Sequence, residues 1–352
     1  MANDSSPDIF SPSNEGAGMR YSMLGSSTLR TSVIGIGGLH FGVFCDQAAT
    51  TSILRRALDL GVNFVDTAPM YGHGDSESFI KNAIKGRRHD VVISNKVGLE
   101  PLIAHDGTFG VSVAPLSRER IRSALEGSLR ALGTDYIDLY QVHAFDHKIP
   151  IEDTMAALDE FVREGKIRFV GCSNYTHDEL NLAKSVAAEH QWAQFVSLQV
   201  HYSLMERKAE EDIVPACHAT GIGIICYRAL ARGILTGKYK PNEPLPEGSR
   251  AMTSDRVRRW LSNPTLSLVA ALDQFAQTCG HSVTELAIAW LLRKADVSVV
   301  LAGVRNVDQL EGCVSALQWA LSEDEMLEID AIINNLGLLS YVNTMPETFL
   351  ET

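Results

Sequence analysis

NFVDTAPMYG, residues 63–72, is the stretch on which the reading of this chain turns. Asn63, Phe64 and Val65 make a short apolar run of the kind that forms a buried strand, and Asp66 follows directly. A carboxylate taken out of water without a partner costs several kcal/mol, so Asp66 needs either a solvated position or a cation beside it. Tyr71 stands in the loop that follows.

Outward from this point the chain alternates short apolar runs with amphipathic helical stretches. Strands are predicted at Val33–Gly37, Asn63–Asp66, Val91–Asn95, Ile137–Gln141, Phe169–Ser173, Phe195–Gln199, Gly223–Tyr227 and Val299–Ala302. Helices are predicted at Ala48–Leu60, Ser76–Lys85, Arg118–Leu132, Ile151–Glu164, His177–Glu189, Ala209–Thr220, Thr265–Cys279, Thr284–Leu292, Asp308–Leu317 and Glu323–Asn334. Eight strands, each followed by at least one helix, argue for parallel βα units that close into a (β/α)8 TIM barrel. "YSMLG" and "TSVIGIG" flank "SSTLR", which predicts a small N-terminal hairpin before the first barrel strand. The interval 228–298 is long and predicts a large loop with an extra helix. Residues 1–18 are rich in Ser, Pro, Asn and Gly and read as a disordered extension. The rest, 19–352, reads as one barrel domain, with "YKPNEPLPEGSRAMTSD" at 239–255 as a loop over the barrel mouth. The tail from Gly337 reads as irregular.

The 352 residues are 45% hydrophobic, enough for a large core. A formal net charge of −12 disfavours nucleic acid and anionic membrane surfaces as partners. No apolar run approaches the length of a membrane span and no signal peptide is visible, so a soluble cytoplasmic protein is expected. Six cysteines without a CxxC pair read as free thiols. Eleven histidines without HExxH or zinc-ligand spacing give no metal site.

In a barrel of this type the site forms at the C-terminal ends of the strands. Asp66 ends one strand, with Tyr71 in its loop. "ISNK" puts Lys96 at the rim of the next, and "LYQVH" puts His143 at the rim of the one after. Taken singly, an Asp is a turn former, a Tyr a core filler, a Lys a solvated cation and a His a structural residue. Four of them at successive strand ends point to chemistry, and Asp66 is expected to pair with Lys96 beside Tyr71. A free tyrosine has a pKa of about 10 and exchanges protons poorly at neutral pH. A neighbouring ammonium favours the phenolate and is expected to lower that pKa. Tyr71 then serves as general acid or base, and His143 orients the same oxygen.

"GVNFVDTAPMYG", "SNKVG", "DYIDLYQVHAFD", "VREGKIRFVGCSNY" and "YRALARGILTGKY" together resemble the aldo-keto reductase superfamily, especially its bacterial and potassium-channel β-subunit-like branches. The similarity runs in register over about Met19–Leu336. It implies a barrel that binds a nicotinamide cofactor and interconverts a carbonyl and an alcohol, with Tyr71 as acid/base, Asp66 and Lys96 as its tuners and His143 orienting the carbonyl.

The cofactor lacks a Rossmann frame here, since "GIGGLHFG" has His40 where a third glycine belongs. "GCSNY" fails as a nucleophile elbow because Tyr175 replaces the closing glycine. Ser173 and Asn174 suit the nicotinamide carboxamide, the simpler alternative being N-capping of the next helix. Gln199 is placed to contact the same amide, and Tyr227 offers a flat face for the ring. The pyrophosphate is expected along "RALARGILTGKY", with Arg228, Leu230 and Gly233, and with Lys238 and Arg250 as cations. "GVRNVDQLEGC", 303–313, is expected at the adenosine end, bringing Gly303, Arg305 and Gln309. Gly38, Leu39 and Asp66 complete the expected cofactor shell. The family commonly carries a Glu-Asn pair, contacting adenine, where this chain has Gly312 and Cys313. Arg305 remains available to a 2′-phosphate, so NADP(H) is expected in preference to NAD(H).

Two other functions fit these residues. One is a cofactor-binding regulatory subunit of a partner protein with little turnover. The other is a Schiff-base aldolase using Lys96, which the neighbouring Asp66 disfavours by keeping the lysine charged. The substrate, a small carbonyl or alcohol, is expected to be shaped by Leu39–Cys45, Leu99–Pro115 and the 240s loop, with "LHF" and "HDGTF" lending aromatic character. A homo-oligomer is left open.

Overall fold

The computed structural model describes residues 18–103 and 109–335. The predicted extension before Gly18, the tail from Gly337 and nearly all of "HDGTF" lie outside the described residues.

Strands β1 (Tyr21–Met23) and β2 (Arg30–Ser32) pair antiparallel as the expected N-terminal hairpin. The barrel begins with β3 (Ile34–Gly37), β4 (Phe64–Asp66) and β5 (Val92–Val97). A second hairpin, β6 (Leu99–Ile103) and β7 (Phe109–Val113), interrupts it. It continues with β8 (Ile137–Val142), β9 (Ile167–Ser173), β10 (Phe195–His201), β11 (Gly223–Tyr227) and β12 (Val297–Ala302). All eight barrel strands are parallel, and β12 pairs back onto β3 to close the ring. The helices are α1 (Gln47–Asp59), α2 (Ser76–Ala83), α3 (Arg118–Leu132), α4 (Ile151–Arg163), α5 (His177–His190), α6 (Ile213–Thr220), α7 (Arg250–Thr253), α8 (Asp255–Trp260), α9 (Asn263–Thr278), α10 (Val283–Leu292), α11 (Val307–Val314) and α12 (Glu323–Asn335).

Strand alternation divides the barrel wall. Val65, Ile93, Tyr140 and Val142 face the surrounding helices in the large outer core. Phe64, Val92, Leu139, Ile225 and Val299 fill the interior, joined by Leu24 and Leu29 from the first hairpin. That hairpin plugs the bottom. At Gly25 φ is +57°, and a Cβ there would stand 2.5 Å from Val196 O and 2.6 Å from Gly221 O, at the starts of β10 and β11. Only glycine fits. One pleat above the apolar layer, the same alternation turns Asp66, Ser94, Gln141 and Gln199 inward. A polar floor thus lies under the barrel mouth.

The departures from the sequence reading are local. The predicted loop 99–115 contains the β6–β7 hairpin, whose first strand carries Pro101, a residue confined to strands with a free edge. Helix α6 starts at Ile213, after a 3-10 turn at Lys208–Glu210, so that Pro215 falls in its first turn, where its missing N–H costs nothing. The 240s loop holds α7 and α8, the second capped by the Ser254 hydroxyl. Helix α11 ends at Val314 and tightens into a 3-10 turn at Ser315–Gln318.

Candidate active site

Asp66 lies opposite Ser94 in the ladder and is 2% exposed. Its Oδ2 accepts from Lys96 Nζ at 2.5 Å. Its Oδ1 accepts from Ser94 Oγ at 2.9 Å, Gln199 Nε2 at 2.9 Å and Gln141 Nε2 at 3.4 Å. Lys96 is wholly buried and gives a second bond to Thr67 O at 3.3 Å. The expected Asp66–Lys96 pair is therefore present, and it is dry. Burial holds the lysine below its usual range, while Asp66 pushes the other way.

Tyr71 opens a 3-10 turn, Tyr71–Gly74. Gly72 follows at φ +63°, and a Cβ there would overlap Phe41 O, so no side chain could be placed. The turn holds the Tyr71 ring over the ion pair, with Lys96 Nζ 5.0 Å from the ring centroid. The His143 ring meets it edge-on at 6.0 Å. Burial, and Coulomb repulsion from Asp66, push the Tyr71 phenol above its ordinary pKa, with Arg228 opposing. This runs against the expected direction: the cost of desolvating a phenolate, with Asp66 nearby, outweighs the opposing Arg228 cation. His143 is held well below 6.5 by burial and by Lys96, so it is a neutral imidazole at pH 7. A cavity of about 230 Å³ reaches Lys96 and His143 from the side of the β6–β7 hairpin, between Pro69, Leu99, Pro115 and Arg120.

The rim carries the other expected residues. Asn174 adopts φ +59°, and its side chain is bonded at both ends: Nδ2 to His143 O and Ser173 Oγ, Oδ1 from the Tyr227 hydroxyl. Helix α5 is capped by Thr176 and Glu179 in a capping box, so the capping alternative for Ser173 and Asn174 does not hold. Ser173 donates to Gln199 O at 2.9 Å. Gln199 departs from its expected place: its amide nitrogen is turned down onto Asp66, because an inward glutamine over a buried carboxylate finds its best acceptor there. One face of Tyr227 is stacked on His201, with centroids 5.5 Å apart. Gly38 is needed for close packing. It is buried, and a Cβ there would meet Ser76 Oγ at 2.8 Å and Asp66 O at 3.0 Å. Leu39 is 43% exposed at the mouth.

Beyond β11 the backbone takes a run of left-handed conformations, at Arg228, Ala231, Arg232 and Gly233. Such a run in non-glycine residues is strained and marks a functional loop. Lys238, Arg250 and Arg305 converge nearby on His40. Burial, then the three cations, pushes His40 down to about 4, and burial, then Arg305 and Arg250, lowers Lys238. Gly303 packs on the His40 ring. The Arg305 guanidinium lies 3.8 Å over the Phe44 ring and donates to Gly248 O, and its own N–H is taken by Gln309 Oε1. Three cations gathered on one side of the mouth fit a polyanion such as a dinucleotide. Gly312 faces open space and Cys313 is buried at 1%, so neither offers a side chain to adenine. Among the described residues no group of His, Cys, Asp and Glu could hold a metal ion, and no helix is long and apolar enough to cross a membrane.

Sequence reasoning missed Ser94, Gln141, His40, Phe44 and His201. Alternation carried the signal for two of them: in "ISNK" and "LYQVH", Ser94 and Gln141 share a strand face with Lys96 and His143.

A family model for the Aldo/keto reductase family matches residues 33–334. The chain belongs to this family. Among its relatives, the aldo-keto reductase YhdN of Bacillus subtilis is 34% identical over 330 residues, covering 90% of this chain and 94% of that one. The aldo-keto reductase yakc [NADP(+)] of Schizosaccharomyces pombe is 33% identical over 323 residues, covering 90% and 92%. Among solved structures, the glycerol dehydrogenase AKR11B4 from Gluconobacter oxydans superposes with a TM-score of 0.79 at 26% identity, covering 94% of this chain and 98% of that one. This aldo/keto reductase is therefore an oxidoreductase of a family that uses nicotinamide cofactors on small carbonyl compounds. Membership favours the enzyme over the regulatory-subunit alternative. The aldolase alternative is disfavoured by the carboxylate 2.5 Å from the Lys96 Nζ, which holds the ammonium charged and makes it a poor nucleophile.

Proposed function

We propose that this chain interconverts an aldehyde or ketone and the corresponding alcohol with NADP(H), and that Tyr71 moves the proton. The observation that carries the reading is the dry Lys96–Asp66 pair beneath the Tyr71 ring, with a neutral His143 at its edge.

When bound, the cofactor supplies or accepts the hydride. The rest falls to this chain's residues. Tyr71 rests as a phenol, the form needed to give a proton to a carbonyl oxygen as that oxygen gains charge. The Lys96 ammonium beside the ring stabilises the phenolate left behind, and Asp66 keeps that ammonium in place through a short bond. A neutral His143 presents a ring N–H to the same oxygen and fixes its orientation without competing for the proton. In the reverse direction the phenol must first lose its proton to solvent, and the phenolate then takes the alcohol proton; the raised pKa makes that first loss the harder start.

Ser173, Asn174 and Tyr227 would hold the nicotinamide end. The left-handed loop around Arg228–Gly233 and the cations Lys238 and Arg250 would hold the pyrophosphate. Arg305, seated on Phe44, would meet the 2′-phosphate. A relative whose name carries NADP(+) supports that choice. The test is a screen of generic aldehydes, ketones and alcohols with both cofactors, followed by the absorbance of the reduced nicotinamide. Turnover with NADPH and a carbonyl is expected. Cofactor binding without turnover of any carbonyl or alcohol would contradict the reading.

A further inference from the structure

The first two residues of α2 hold Lys96 at both of its ends. Ser76 is wholly buried, and its hydroxyl donates to Gly38 O at 2.9 Å. That uses its single proton, so at 2.9 Å it accepts from Thr67 Oγ1. The carbonyl of the same Thr67 receives Lys96 Nζ. On the outer side of the wall, Glu77 is 4% exposed and accepts from Asn95 Nδ2 at 2.7 Å. Asn95 Oδ1 in turn accepts from the Lys96 main-chain N–H at 2.6 Å. Burial pushes the Glu77 carboxyl above its usual range, against the bond from Asn95. Tyr140, wholly buried, packs near the same group.

Barrel closure does not ask for any of this. Ile80 of α2, Ile93 of β5 and Leu125 of α3 belong to the apolar core that surrounds this group. A buried carboxyl there is a cost that an aliphatic side chain would avoid. What the carboxyl does that an aliphatic side chain could not is fix Asn95, and through Asn95 the main chain of Lys96.

We propose that Glu77, with Ser76, is a positioning residue for the reaction: together they clamp the Lys96 main chain through Asn95 and its ammonium through Thr67, keeping Nζ on Asp66 and beside the Tyr71 ring. The clamp rests on the reading of Tyr71 as the proton carrier. Its consequence is that α2 sets how well the phenolate is stabilised. An error of about an ångström in such a group can cost up to a hundredfold in rate.

The experiment compares Glu77→Ala, Glu77→Gln, Ser76→Ala and Tyr71→Phe with the unmodified enzyme. It reads kcat for alcohol oxidation across pH, NADPH affinity by tryptophan fluorescence, and thermal midpoint. Glu77→Ala is expected to lower kcat by about tenfold or more, to move the rising limb of the pH profile to higher pH, and to leave NADPH affinity unchanged. Glu77→Gln keeps an oxygen for Asn95 and is expected to restore most of the rate. A Glu77→Ala enzyme that melts earlier but keeps kcat and the pH profile would overturn the clamp and leave Glu77 as a structural residue. Should Glu77→Ala not fold, Ser76→Ala decides: a shifted limb supports the clamp and an unshifted one overturns it. A Tyr71→Phe enzyme with ordinary turnover would overturn the reading of Tyr71, and the clamp with it, whereas an inactive Tyr71→Phe beside an unaltered Glu77→Ala would overturn the clamp alone.

Discussion

Lys96→Met removes the ammonium and keeps much of the stem, so it isolates the charge. Lys96 Nζ lies 5.0 Å from the Tyr71 ring centroid. At that distance and an effective dielectric of about 20, its attraction for a phenolate is about 3 kcal/mol. At about 1.4 kcal/mol per pH unit, that is a ceiling of roughly two units on the apparent pKa of alcohol oxidation. Asp66 acts in the same direction. Once uncovered it repels the phenolate more strongly, unless it takes up a proton. It keeps Ser94, Gln141 and Gln199 as donors, so the pocket does not lose its only partner. Breaking a buried pair by removing one member still costs about 3–5 kcal/mol of stability. Lys96→Met with Asp66→Asn should recover part of that loss, because no bare charge is then left inside. The assay is kcat for alcohol oxidation across pH, with a thermal melt on the same samples. The expected result is a rising limb moved up by about one to two pH units and a lowered melting midpoint, largely recovered in the double variant. A uniform drop in rate with an unmoved limb would refute the electrostatic reasoning and leave Lys96 as a strut.

Arg305→Ala should weaken NADPH binding by about ten- to a hundredfold while barely touching NADH, since a charge-assisted contact is worth roughly 1.5–3 kcal/mol; fluorescence titration with both cofactors checks it, and equal losses for both would place Arg305 away from the 2′-phosphate. Gly72→Ala should destabilise the fold by at least about 2 kcal/mol and lower kcat, because the added Cβ meets Phe41 O from a left-handed backbone and displaces Tyr71; a melting midpoint and kcat equal to the unmodified enzyme would contradict the placement of that turn.

Much of this architecture could be read from the residues, and the reasons differ by element. All eight barrel strands were legible because a parallel strand covered on both faces shows as a short apolar run between helical stretches. The hairpin at 99–113 was not, because "LEPLI" and "FGVSV" pair only with each other and carry Pro and Gly inside. The pairing of Asp66 with Lys96 followed from desolvation together with their places at neighbouring strand ends, and the structure shows it at 2.5 Å. The direction of the Tyr71 pKa did not follow. Sequence shows that a cation is near, while the cost of burying the phenolate depends on how the 71–74 turn packs. Gln199 was read toward the mouth because strand ends face it, but the Asp66 oxygen it turns to comes from a strand far away in sequence. His40 was read as a missing glycine and as part of an aromatic stretch at the mouth. Its place among Lys238, Arg250 and Arg305 is a product of barrel closure between β12 and β3, which no local pattern encodes.

The central claim is that the Tyr71 hydroxyl carries the proton. Steady-state reduction of a generic aldehyde by the unmodified enzyme and by Tyr71→Phe, with NADPH affinity measured on both, tests it most directly. The account expects kcat to fall by roughly 10²- to 10⁴-fold with affinity unchanged, since the ring stays and only the acid is removed. A phenylalanine enzyme that keeps more than about a tenth of the original kcat, well outside that range, would contradict it.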